Sequence, residues 1–189
     1  MGLTRVIVLF CTSLAFGAVA QDRSDAKASA VLAVMAEGIG EFNFATPEWV
    51  EAAQEAFDAE AERHGDALKE IGKFTMCQVA HNAPAFLHSG PKLAWHVIFD
   101  GSSIKALPGE LPAEECDLKI EGDHSIMSNL GHIQFDGNDP VDVAAAQSRL
   151  RKIGKWKVHG SMPENARLGA ILMSAQDTLA PRTMPRFVW

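Results

Sequence analysis

The chain has no tyrosine, only three cysteines, and beyond its first twenty residues no apolar run long enough to span a bilayer. Each shortage closes off a class of answer. An outer-membrane barrel repeats alternating segments between aromatic girdles, so the missing tyrosine and the alanine-rich helical stretches argue against one, despite the closing Phe187-Val188-Trp189. Cations are also scarce: 17 Lys+Arg stand against 24 Asp+Glu, a net charge of -7. That balance makes nucleic acid and an anionic lipid surface poor partners, and no Lys/Arg run is read as a local basic patch. There is no C-x-x-C-H haem attachment, no H-E-x-x-H, no G-x-S-x-G around Ser89 or Ser161, and no glycine-rich phosphate loop after a strand. No cofactor and no metal are therefore expected, and catalytic residues are left unassigned.

What is present begins with a leader. Met1 to Thr4 with Arg5 form a short positive n-region, Val6 to Phe16 are almost uninterruptedly apolar, and Ala18-Val19-Ala20 supply the small residues read before cleavage. Residues 1–20 are expected to be a secretory signal peptide, placing the protein in the periplasm or outside the cell without stable membrane insertion. Losing Cys11 with the leader leaves Cys77 and Cys116 in an oxidising compartment, where one disulfide is the default. The alternative reading starts from Cys77 and His81, four residues apart, which would share a helix face and could hold a metal or haem.

Along the chain, a short helix is expected over 25–37, ending at Gly38. Thr46 as N-cap, Pro47 in the first turn and the spacing of Trp49, Ala53 and Phe57 predict a second helix that Gly65 ends. From Asp66 to Ala80 the spacing fits a helix, although Lys73 to Val79 reads equally well as extended. Beyond Pro91 the period becomes two: Leu93, Trp95, Val97 and Phe99 face one way, and Asp100-Gly101 turns the chain toward Ser102 to Leu107. Cys116, Leu118 and Ile120 mark another strand, and His124 to Leu130 a short helix. Asp139-Pro140 opens a helix that ends at Gly154. Trp156 and Val158 mark a last strand, and Leu168, Ile171, Leu172, Ala175 and Leu179 stripe a helix that Pro181 stops. The class is α+β, with N-terminal helices followed by a mainly antiparallel sheet covered by helices.

Three segments carry a resemblance. Leu93-Ala94-Trp95-His96-Val97-Ile98-Phe99-Asp100-Gly101, Cys116 to Asp123, and the Pro140 helix running into Gly154-Lys155-Trp156-Lys157-Val158-His159-Gly160 resemble the sterol carrier protein type-two family over about residues 93–183. The close Gln176 to Thr183 resembles the tail of bacterial members. The resemblance implies a five-stranded sheet and an apolar tunnel for a hydrophobic small molecule or lipid, such as a sterol or fatty-acyl chain, without catalysis. It assigns the ligand-facing positions to Trp95, Val97, Phe99, Leu118, Ile120, Trp156, Val158, Leu168, Ile171, Leu172 and Leu179. The expected organisation is a helical extension at 21–83, a sterol-carrier-like domain at 84–184 and a tail at 185–189. The expected disulfide would tie the extension to the Cys116 strand.

Two other readings remain. Seven histidines could serve acid/base or metal chemistry, with His81 and His88, or His96 and His159 if their strands pair, as the best metal pairs. All seven are expected mainly at the surface. A protein partner could instead dock on an exposed apolar stripe of the helices at 25–64, with Trp49 and Phe57 as anchors.

Overall fold

The computed structural model describes residues 40–87, 90, 92–136 and 140–184. The expected leader, the helix at 25–37 and the tail at 185–189 lie outside the described residues. Helix α1 spans Pro47–Ile71, and the Thr46 hydroxyl oxygen accepts from the Trp49 amide at 3.4 Å. It does not end at Gly65. Buried Leu68 holds the last turns in the core, the helix kinks at His64 (φ -123°, ψ 20°), and Gly72 caps it at φ 71°. The glycine at 65 is tolerated because tertiary packing outweighs the roughly 1 kcal/mol it costs a helix relative to alanine.

The ambiguous stretch after it is a strand. β1 (Lys73–His81) is central to a five-stranded sheet completed by β2 (Lys92–Asp100), β3 (Ile104–Pro108), β4 (Leu118–Asp123) and β5 (Trp156–Gly160), in the order β3-β2-β1-β4-β5. Every pair is antiparallel except β1 with β4, which run parallel. Because β1 is buried on both faces, it lacks the clean alternation that exposes a strand. The expected boundary at 83/84 therefore falls inside one sheet, and residues 47–81 supply a helix and the middle strand of the same core as β2 to β5.

Cross-strand register defines an inner face. Phe74, Met76, Gln78 and Ala80 of β1 stand opposite Phe99, Val97, Trp95 and Leu93 of β2, and Met76, Gln78 and Ala80 stand beside Leu118, Ile120 and Gly122 of β4. Gly122 in turn faces Trp156 on β5. Among the described residues, four helices pack on this sheet or on one another. α1 packs on β2 and β3, α2 (His124–Gly131) on β1 and β4, and α3 (Pro140–Lys152) on β5, while α4 (Ala166–Leu179) packs against α1. The mainly antiparallel α+β class expected from the sequence is what the chain forms.

The outer face carries the disulfide. Cys77 and Cys116 are bonded, with Cα atoms 5.9 Å apart, and Cys77 belongs to the β1 set that points away from Met76 and Gln78. The helix-face alternative for Cys77 and His81 fails because both lie on a strand. On the same face Glu110 pairs with Lys92 and, at 2.9 Å, with Lys119, whose ammonium also reaches Glu121 at 3.1 Å. His81 meets Glu121 at 3.4 Å. At the far edge Arg149, Arg151 and Lys152 close α3 and are followed by Lys155 and Lys157, so 5 of the 17 cations fall within residues 149–157. Charge that looked dispersed is concentrated here. A helix C-terminus favours the first three, and lysines along an edge strand oppose edge-to-edge pairing.

Candidate functional site

Between the inner face and the helices lies a cavity of about 70 Å³. Its walls come from every layer: Trp49 and Phe57 of α1, Met76 and Gln78 of β1, Trp95 of β2, Leu118 and Ile120 of β4, Met127 of α2, Trp156 of β5, and Leu172 and Leu179 of α4. Gln147 of α3, Gln176 of α4 and Met162 of the β5–α4 link complete much of the rest. Gln176 is oriented by the end of α2 and the chain that follows it, its amide nitrogen donating to the carbonyls of Gly131 at 2.5 Å and Ile133 at 3.2 Å. No carboxylate lines the cavity among the described residues.

Six of the eleven expected ligand-facing residues meet here: Trp95, Leu118, Ile120, Trp156, Leu172 and Leu179. The other five do not line the cavity. Val97, Phe99, Leu168 and Ile171 are almost completely buried in packed core, and Val158 is partly buried against it. Phe99 shows why: its ring is 6.2 Å from Phe57 and 6.1 Å from Phe74, centroid to centroid, and this aromatic cluster fills its end of the inner face.

Several wall residues fall outside the expected set. Met76 and Gln78 come from β1, whose alternation only becomes visible once its pairing with β2 is known. Trp49 and Phe57, expected as exposed docking anchors, are instead 1% and 2% exposed and face the sheet. The repeat of 49, 53 and 57 is the signal that could have placed them in the wall.

Indole chemistry distinguishes the three tryptophans of the cavity. Trp49 Nε1 donates to Thr183 Oγ1 at 2.8 Å. The buried Nε1 groups of Trp95 and Trp156 have no acceptor within reach among the described residues. Arg151 stacks over the Trp156 ring, its Cζ 4.8 Å from the centroid.

The histidines serve other ends. His96 is buried and shares a 3.0 Å hydrogen bond with the Gly109 carbonyl, and His124 is buried 3.3 Å from the Phe44 carbonyl. Both depart from the expected surface placement because each ring finds a backbone oxygen to bind. His132 bonds the Thr183 carbonyl at 2.9 Å. His96 and His159 do not pair, since β1 and β4 separate their strands, and His88 lies outside the described residues. Among the described residues no histidine lines the cavity, no group of three His, Cys, Asp or Glu is placed to hold a metal, and no helix is long and apolar enough to cross a membrane.

No protein-family model matches the chain, and no curated protein matches its sequence. Solved structures do. Sterol carrier protein 2 from Yarrowia lipolytica, in its apo form, is 15% identical, with 67% of this chain and 88% of that one covered at a TM-score of 0.42. The UbiJ-SCP2 ubiquinone synthesis protein is 12% identical, covering 71% and 96%, with a TM-score of 0.41. A conserved hypothetical protein from Thermus thermophilus, whose description suggests a sterol carrier protein, is 16% identical, covering 79% and 95%, with a TM-score of 0.44. These are solved structures this chain is similar to, each at low sequence identity.

Proposed function

We propose that this chain is an exported protein that binds a hydrophobic ligand with an alkyl chain, a sterol or fatty-acyl lipid, in the cavity between the sheet and α4. The observation that carries the reading is the wall itself, mostly apolar, without a charged side chain among the described residues, and left unfilled. A chain entering it gains about 25 cal/mol for each Å² removed from water. At about 70 Å³ the space is smaller than the roughly 150 Å³ that accepts benzene in an engineered core, so a lipid has to widen it. Met76, Met127 and Met162 supply that freedom, being unbranched side chains with several rotatable bonds and little preference for one packing. Widening along α4 would turn the cavity into a passage for the chain. Export is supported by the leader-like residues 1–20 and by the Cys77–Cys116 disulfide, which suits an oxidising compartment.

Titration with a dansyl-labelled undecanoic acid tests this reading. The folded protein is expected to bind it with a blue shift of the dansyl emission, and Leu172→Asp, checked for native circular dichroism, is expected to abolish the shift. Equal binding by the two proteins would overturn the assignment of the cavity.

A further inference from the structure

A ligand-binding cavity fixes where a hydrophobic molecule goes but not which polar group it carries. Two side chains speak to that. Trp95 and Trp156 line the cavity, each only 4% exposed, and each has an indole N–H without an acceptor among the described residues. An indole nitrogen donates and never accepts, so neither group can be satisfied by exchanging roles with a neighbour. The fold is capable of pairing such a donor, because Trp49 in the same wall has Thr183 at 2.8 Å. A cavity serving hydrocarbon alone would gain the same ring contacts from phenylalanine without burying a donor.

The surroundings indicate the sign of the missing partner. Arg151 stacks over the Trp156 ring, and no carboxylate lines the cavity among the described residues. An oxygen lone pair fits an unpaired indole donor, and a cationic group does not. The strands of the two tryptophans are separated by β1 and β4, roughly 14 Å at ordinary strand spacing, so each indole serves its own point of the cavity.

Resting on the ligand-binding reading above, we infer that the cavity selects amphiphiles bearing a carbonyl or carboxylate oxygen, and that this oxygen is held inside by the Trp156 indole instead of being left in water. Trp95 offers a second donor to ligands with a further oxygen. Selection is then made by the polar group, while the alkyl part is bound for its apolar surface.

The test compares methyl dodecanoate with dodecane, delivered from cyclodextrin to the ¹⁵N-labelled protein, with each affinity taken relative to the probe's own partition into hexadecane. The ester is expected to bind about tenfold better on that scale, the gain of one buried hydrogen bond, and the Trp156 indole N–H resonance is expected to move downfield with the ester only. Trp156→Phe is expected to remove the preference, so that ester and dodecane bind equally on that scale. If that variant fails to fold, the wild-type resonances decide alone. Equal relative affinities with no downfield indole shift would overturn the inference and leave the cavity's role standing. Failure of both probes to bind would overturn the ligand-binding reading and this inference with it.

Discussion

The indole of Trp49 on α1 meets the indole of Trp95 on β2 edge to face, with ring centroids 5.0 Å apart. Trp49 also holds Thr183 at the other end of the chain, and the Thr183 hydroxyl donates onward to the Leu179 carbonyl at 2.9 Å. Three distant stretches of sequence therefore close one wall of the cavity together.

Thr183→Val should destabilise the protein by about 1–3 kcal/mol, because it strands a buried indole donor while keeping the side-chain volume. Urea unfolding is the check. A lower midpoint with an unchanged slope is expected, since the surface exposed on unfolding stays the same.

Removing the disulfide with Cys77→Ser and Cys116→Ser should cost about 4 kcal/mol in the chain-entropy picture, for a separation of 39 residues. Ligand affinity should barely change, because Cys77 points to the face opposite the cavity. A large loss of affinity in still-folded protein would show that the two faces are coupled.

Acid should weaken the outer face. The hydrogen bond from Lys92, then that from Lys119, holds the Glu110 carboxyl below the usual range, and Asn82 does the same for Asp123, with help from Lys155. Burial pushes Glu121 up, but Lys119 and His81 more than offset it. Groups lowered on folding stabilise the protein at pH above their unfolded values near 4, and that contribution is lost as pH falls through the lower folded values. Stability measured by denaturant at stepped pH should be flat from about pH 7 to 5 and fall below about 4. Glu110→Gln should be less stable at pH 7 and should lose less on acidification.

Gly122→Ala should perturb the cavity directly. A Cβ there would stand 2.9 Å from the Lys155 carbonyl and 3.2 Å from Met127 Sδ, forcing that methionine aside. We expect a loss of about 1–3 kcal/mol and weaker uptake of the dansyl probe, measured by thermal melting and titration.

The sequence made much of this fold legible where burial was one-sided. Leu93, Trp95, Val97 and Phe99 alternate because β2 presents one strongly apolar face, and Thr46-Pro47 announces α1 through cap chemistry that needs no tertiary context. β1 was ambiguous for the opposite reason: Cys77, Val79 and Ala80 are buried on both sides, so no period of two survives. Gly65 looked like a stop because a glycine signals an end only where packing does not continue beyond it, and Leu68 continues it. For the cavity, residue type identified apolar inward positions, but not which of them are close-packed. Phe99 and Trp95 alternate identically on one strand, and only the neighbouring rings of Phe57 and Phe74 decide that one is core and the other wall.

The central claim is that the cavity binds a lipid. Native mass spectrometry of the protein purified from the cells that make it, before and after organic extraction, tests this most directly. The account predicts a one-to-one adduct of lipid mass that extraction removes and that folded Leu172→Asp protein never carries. It is contradicted if the purified protein is bare and its extracted form takes up no fatty-acyl probe, or if Leu172→Asp retains the adduct.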